Sequence, residues 1–133
     1  MDGMTVRLLV TGILGAHGFG HVLGWMLAWG VARFEGVSSR SWALSPLMGD
    51  DAARIAAGLL FVVPTIGFLV AAGGLVTGQP WWRTVAVASA AVSIGCTVLF
   101  PQAFTASSTV GSLAVNAMVL VGLLATDWGQ APV

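Results

Sequence analysis

Charged residues and cysteine are both scarce in this 133-residue sequence. Only 8% of the residues are charged, whereas a water-soluble domain needs about a quarter of its residues charged to cover its surface. Lysine is absent, and five arginines balance five acidic residues, so the chain has no positive excess with which to bind a nucleic acid. The single cysteine, Cys96, excludes an internal disulfide framework and any zinc or iron–sulfur site that needs several cysteines.

Long hydrophobic runs are what the chain has instead, with 57% hydrophobic residues and a mean hydropathy of +0.94. A helix needs about 20 mostly apolar residues to cross a hydrocarbon core about 30 Å thick. Four such windows predict an all-α fold, an integral membrane four-helix bundle forming a single domain over residues 1–133, with helices at about 8–32, 55–76, 84–100 and 109–126. The first window is too long for a signal-peptide core, so we expect it to be retained.

The tryptophans support four crossings, because tryptophan prefers the two membrane–water boundaries. Four crossings place three of them on the side of the first loop and three on the side of the termini: Trp25, Trp29 and Trp42, then Trp81, Trp82 and Trp128. Arg7 precedes the first helix, and such a basic residue favours termini in the cytoplasm. We therefore expect a multi-pass protein of the cell inner (plasma) membrane.

Small residues recur at four-residue spacing along the first helix, a pattern that lets another helix approach closely within the chain or in a dimer. This predicted ridge consists of Gly12, Ala16, Gly20, Gly24 and Ala28.

The second helix has a proline near its middle and charges at its start. Pro64 frees a backbone carbonyl one turn earlier and predicts a kink, and Thr65 is placed to satisfy a freed backbone group. Asp50 or Asp51 is expected to cap the helix, and both reach Arg54 at helical spacing.

Several polar residues fall deep inside the predicted helices. His17 lies roughly 14 Å along the first helix, close to the bilayer midplane, and His21 lies one turn further. Counting along the other helices gives two polar layers: His17 with Thr65 and Ser93, and His21 with Asn116 and Cys96 or Thr97, below Ser112 and Arg54. Polar side chains in hydrocarbon face the bundle interior or a wet cavity, so we predict an internal polar pocket that opens towards the first loop.

The two histidines leave several kinds of chemistry open. Two imidazoles four residues apart can share a metal, but a zinc site needs a third protein ligand, and only Cys96 is available in the spans. Both histidines lie on one helix, so bis-histidine haem ligation within one chain is excluded, while a single axial ligand or a dimer stays open. A neutral histidine can instead transfer protons. Alternatively, the histidines and Asn116 only hold the bundle together by hydrogen bonds.

Three segments together resemble a known kind of protein. They are the run HGFGHVLG from His17 to Gly24, the run PWWR from Pro80 to Arg83, and Asn116 in the fourth helix. In these residues and in hydropathy over most of the chain, the sequence is similar to small bacterial four-helix membrane proteins of a broadly DoxX-like plan. The resemblance implies the fold and an actinobacterial-type membrane origin, and it implies no reaction.

These observations favour a membrane-embedded enzyme, or an accessory to one, that acts on a lipophilic substrate such as an isoprenoid, quinone or polyketide. In this hypothesis His21 is the general acid or base, His17 is its partner, and Asn116 and Arg54 position the substrate. The sequence identifies no cofactor. Two alternatives stay open: a non-catalytic subunit of a larger membrane complex, and a small dimeric transporter in which a histidine carries the proton, because no carboxylate lies in the spans.

Overall fold

The computed structural model describes residues 3–126, and every regular element in that range is a helix. The helices are α1 (Gly3–Gly20), α2 (Val22–Ala28), α3 (Leu44–Met48), α4 (Asp50–Val76), α5 (Trp82–Leu99) and α6 (Ala106–Leu124). Since α1 and α2 follow each other with only residue 21 between them, four stretches are long and apolar enough to cross a membrane: Gly3–Ala28, Asp50–Val76, Trp82–Leu99 and Ala106–Leu124. The predicted all-helical fold with four membrane-length helices is confirmed; Trp128 and the predicted stop before Asp127 lie outside the described residues.

The helices begin two to five residues earlier than predicted. Charged residues bounded the first three predicted spans, whereas a helix continues through charges in its first turns; α6 begins at Ala106, in a polar run without charges. The predicted aspartate cap of α4 is wrong: its N-cap is Gly49, whose φ of 84° suits glycine, and the two aspartates occupy the first turn. Only Asp51 reaches Arg54, at 3.5 Å, while Asp50 pairs with Arg40 at 3.2 Å.

Close packing joins α4 to α1, α2, α3 and α5, and joins α5 to α6. Two glycines set the distance between the first span and α4. A Cβ added at Gly18 would lie 2.9 Å from the Phe68 Cβ and 3.2 Å from the Thr65 carbonyl oxygen, and one added at Gly24 would lie 2.8 Å from the Phe61 ring. Glycine is therefore what allows the first span to approach α4 so closely.

The predicted small-residue ridge packs inside the chain only in its second half. Gly24 and Ala28 are buried, but the three earlier members are exposed: Gly12, Ala16 and Gly20. At the break between α1 and α2, the His21 N–H bonds the Gly18 carbonyl three residues earlier, at 3.2 Å. In a helix with 3.6 residues per turn, residues four apart drift by about 40° at each step, so a ridge with strict four-residue spacing does not stay on one face over the whole span.

Two arginines cap neighbouring helices at the end of the bundle that carries the chain termini. Arg7 donates from Nε and Nη2 to the Leu75 carbonyl at 2.9 and 2.6 Å, at the C-terminal end of α4. Arg83 donates to the carbonyls of Leu123 and Thr126 after the end of α6. A cation favours the negative end of a helix and satisfies carbonyls that have no partner within it.

Helix α4 continues through Pro64, and side chains satisfy the carbonyls around it. The Leu60 carbonyl, which Pro64 deprives of its helical donor, accepts the Cys96 thiol at 3.3 Å. The Thr65 hydroxyl, expected to serve this purpose, donates instead to the Phe61 carbonyl at 2.8 Å. Cys96 is thus a buried packing residue that joins α5 to α4.

We expect Gly18→Ala to lower the free energy of unfolding by about 1–3 kcal/mol, because the added methyl group forces α1 and α4 apart. Gly12→Ala is the matched control: its Cβ meets nothing within 4 Å, and alanine is the better helix former. Denaturant titration of both variants in mixed micelles measures the difference. Equal stability losses would contradict close packing at Gly18.

Candidate functional site

Two histidines from the first span meet inside the bundle. His17 lies in the last turn of α1 and His21 lies at the break before α2, and their rings are 5.0 Å apart in an edge-on arrangement. His21 is only 2% exposed, and phenylalanine rings surround it. Phe61 and Phe68 stack on it at 6.1 and 6.2 Å, and the Phe104 ring meets it edge-on at 6.3 Å. The apolar rings leave few partners for its polar atoms.

Four side chains from three helices form a continuous hydrogen-bonded chain, which we call the histidine network. His17 Nε2 lies 3.0 Å from Asn116 Oδ1, and Asn116 Nδ2 donates to Ser93 Oγ at 2.7 Å. Ser93 Oγ lies 2.8 Å from His21 Nε2. Both Ser93 and Asn116 are fully buried. The network joins the first span to α5 and α6 and fixes one nitrogen of each histidine.

Three of the four predicted site residues are together in this network: His17, His21 and Asn116. Their pairing differs from the predicted layers, because Asn116 bonds His17 and Ser93 bonds His21. Ser93 is the site residue that sequence reasoning missed. Its depth matched that of His17, but nothing in the sequence showed that its hydroxyl joins the asparagine to the second histidine.

The fourth predicted residue, Arg54, is not brought to this site. It lies on α4 seven residues before Phe61, or about 10 Å of helix rise away from the ring that stacks on His21. Its guanidinium pairs with Asp51 near the start of the helix. A role for Arg54 in positioning a substrate beside the histidines therefore has no support in the geometry.

A cleft of about 220 Å³ lies beside the histidine network, between the first span and α6. Ala16 and Gly20 line it from α1, Gly111 and Val115 line it from α6, and both histidines contribute to its wall. A Cβ added at Gly20 or Gly111 would meet nothing within 4 Å, so both walls border open space. Helix α1 packs on α4, α4 on α5, and α5 on α6. The cleft lies between α1 and α6, the first and last helices in this order.

A second hollow of about 170 Å³ adjoins the cleft on the side of the first loop. The two share Leu23, Phe104 and Ser108, and the second hollow also reaches Phe34 and Glu35. The turn after α5 bonds the first loop here, where the Ser38 N–H donates to the Gln102 carbonyl at 2.7 Å. The hollow beside the cleft therefore lies on the side on which the sequence predicts an opening, and the opening itself stays a prediction.

Two buried polar atoms at the cleft have no hydrogen-bond partner. Within residues 3–126, the buried side-chain nitrogen and oxygen atoms that lack a partner are His21 Nδ1 and Ser112 Oγ. Both residues line the cleft. Leaving a buried polar group unpaired costs about 1–3 kcal/mol, and native structures retain few such groups. The cleft can therefore offer hydrogen bonds to a bound molecule.

The geometry gives no support to the metal-site alternative. Across the described range, no three histidine, cysteine or acidic side chains come close enough to hold a metal ion together. The expected third ligand, Cys96, bonds a backbone carbonyl of α4 instead. Each histidine also has its Nε2 atom engaged in the histidine network.

We expect Asn116→Leu to lower the free energy of unfolding by about 1–3 kcal/mol, because it leaves His17 and Ser93 without their shared partner. Thr97→Val is the matched control: the Thr97 hydroxyl is equally buried but bonds only a carbonyl of its own helix, at 2.9 Å. Its loss should be below about 1 kcal/mol. Unfolding titrations that give the two variants the same stability would contradict an energetic role for the network.

Comparisons with known proteins leave the family unassigned. No protein-family model, curated protein or solved structure matches this chain. The resemblance to DoxX-like proteins therefore stays a prediction from the sequence, and the function has to be argued from the geometry of the site.

Proposed function

We propose that this chain is a membrane-embedded enzyme, or the substrate-binding component of one, that acts on a lipophilic molecule in the cleft through acid–base chemistry of His21. The observation that carries the proposal is the pair of unpartnered buried polar atoms, His21 Nδ1 and Ser112 Oγ, on residues that line one cleft. If the histidines only held the helices together by hydrogen bonds, leaving these two buried atoms without partners would cost stability with no gain. A ligand with a polar end would satisfy both.

The position of the cleft supports a substrate that arrives from the lipid. The cleft lies between two helices of membrane length, and the glycines on its two walls leave the gap between them open. In a bilayer such a gap faces acyl chains, so an apolar molecule enters it without crossing water. The same placement supports the proposed location in the inner (plasma) membrane, where the resemblance to bacterial four-helix proteins also points.

The site residues divide into one reacting group and three supporting ones. His21 lines the cleft and has one ring nitrogen without a partner, and a histidine of this kind suits proton transfer to or from a substrate. Ser93 bonds the other nitrogen of His21 and fixes the orientation of the ring. Asn116 and His17 act as positioning residues, because Asn116 donates to Ser93 and His17 bonds Asn116 from another helix.

The test of the proposal is recovery of a bound lipophilic molecule from protein purified with its native lipids. We expect mass spectrometry to find such a molecule in the wild type, and Gly111→Leu to lower its occupancy at least about tenfold. The leucine side chain extends into the cleft, and overfilling a site costs about 1–3 kcal/mol. Gly95→Leu is the matched control, since its Cβ also meets nothing within 4 Å but it lies on α5, away from the cleft.

Equal recovery from the two leucine variants would contradict binding in the cleft. The alternative function, a non-catalytic subunit, rests on two glycines of α1 that have open space beside them, because a Cβ at Gly12 or Gly15 meets nothing within 4 Å. Retention of a protein partner by both leucine variants, with no small molecule in the wild type, would contradict the enzyme proposal and favour this alternative.

We also expect Ser112→Ala to affect stability and binding in opposite directions. Removing a buried hydroxyl that has no partner should stabilise the empty protein by about 1 kcal/mol. The same change should weaken binding of the recovered molecule several-fold, because one hydrogen bond is lost. Thermal unfolding without the molecule and titration with it measure the two effects. A loss of stability in the empty protein would show that Ser112 has a structural role instead.

A further inference from the structure

The donors and acceptors of the histidine network fix the direction of its hydrogen bonds. An amide oxygen only accepts, so His17 donates from Nε2 to Asn116 Oδ1. The amide nitrogen of Asn116 in turn donates to Ser93 Oγ. The hydroxyl oxygen of Ser93 therefore already accepts one hydrogen bond, and its own proton needs an acceptor.

Among the described residues, the acceptor within reach of the Ser93 proton is His21 Nε2, at 2.8 Å. If Nε2 carried a proton and donated to Ser93, the hydroxyl proton would be buried without an acceptor. With Ser93 as the donor, all three hydrogen bonds of the network form, and the His21 group left without a partner is Nδ1. A neutral histidine that accepts at Nε2 carries its proton on Nδ1. Thus Nδ1, the unpartnered nitrogen of His21, is a hydrogen-bond donor.

We propose that the molecule bound in the cleft presents a carbonyl oxygen to the Nδ1–H group of His21. This inference rests on the proposed function and adds the chemical class of the ligand: a lipophilic ketone, aldehyde, ester or similar carbonyl compound. The ligand must accept a hydrogen bond from His21, and the second unpartnered group, the Ser112 hydroxyl, also has a proton to donate. A carbonyl accepts from both and adds no proton of its own.

An alcohol or an amine satisfies the cleft less completely. An alcohol oxygen accepts up to two hydrogen bonds and an amine nitrogen accepts one, but an alcohol or a primary or secondary amine adds at least one further proton to the two supplied by His21 and Ser112. If the added proton goes to the Ser112 oxygen, the Ser112 proton loses its acceptor, and one buried donor stays unpaired. The cleft therefore favours a ligand that adds no proton of its own over one that does. In this arrangement His21 is a general acid that polarises the carbonyl.

The first arm of the experiment uses the protein alone, labelled with ¹⁵N-histidine in lipid nanodiscs. The ¹⁵N shifts distinguish a protonated ring nitrogen from a bare one, and a His17→Gln variant assigns the signals. We expect His21 to be protonated at Nδ1 and bare at Nε2, and Ser93→Ala to reduce that preference because it removes the donor to Nε2. A wild-type His21 protonated at Nε2 and bare at Nδ1 overturns the inference, whatever binds in the cleft.

The second arm compares three probes of one shape: a long-chain aryl ketone, the hydrocarbon with CH₂ in place of the carbonyl, and the secondary alcohol. We expect the ketone to bind about tenfold more tightly than the hydrocarbon, and more tightly than the alcohol. His21→Phe, which keeps an aromatic ring but has no donor, should reduce the difference between ketone and hydrocarbon, because the Ser112 hydroxyl is then the donor that remains.

The outcomes separate the two proposals. Equal binding of ketone and hydrocarbon, or tighter binding of the alcohol, overturns the carbonyl inference while the proposed binding function stands. If no probe binds a protein whose His21 is protonated at Nδ1, the proposed function is contradicted, and the ligand class falls with it.

Discussion

The absence of water inside an apolar bundle is the constraint on which the structure of this protein depends. Each polar group there must find a partner in the protein, and the His17–Asn116–Ser93–His21 chain meets this demand with side chains from three different elements. Close packing runs from α1 through α4 and α5 to α6. The bond between His17 and Asn116 joins the two ends of that order, so it helps to hold the helices around the cleft.

The helices and the convergence of the polar residues could be predicted from the sequence because both depend on distance along a helix axis. Hydropathy gives the length of each span, and a rise of about 1.5 Å per residue gives the depth of His17, His21 and Asn116. The pairing within the network depends on rotation about the axes, which depth does not fix. A ridge with strict four-residue spacing drifts around the helix axis, and this is why Gly12, Ala16 and Gly20 are exposed while Gly24 and Ala28 are buried.

Two residues show where chemical type alone misleads. Arg54 and Cys96 were natural candidates for a polar site, since one carries charge and the other is a possible metal ligand. In the structure, neither acts at the site: Arg54 pairs with Asp51 near a helix end, and Cys96 donates to the carbonyl that Pro64 leaves free. Helical spacing predicted the Arg54–Asp51 pair, but the Leu60 carbonyl that Cys96 bonds lies 36 residues away in sequence, so spacing does not reveal it.

The contrast between the bonded and unbonded nitrogens of His21 separates structure from function at this site. Nε2 has the partner that a buried group needs for folding, and Ser93 supplies it. Nδ1 has none, although it is buried among phenylalanines where an unpaired group is costly. A purely structural histidine would gain stability from replacement by an apolar residue together with its partners. His21 lines the cleft with one ring nitrogen bonded inside the protein and the other without a partner. We expect this arrangement of a residue whose second hydrogen-bond partner is a bound ligand.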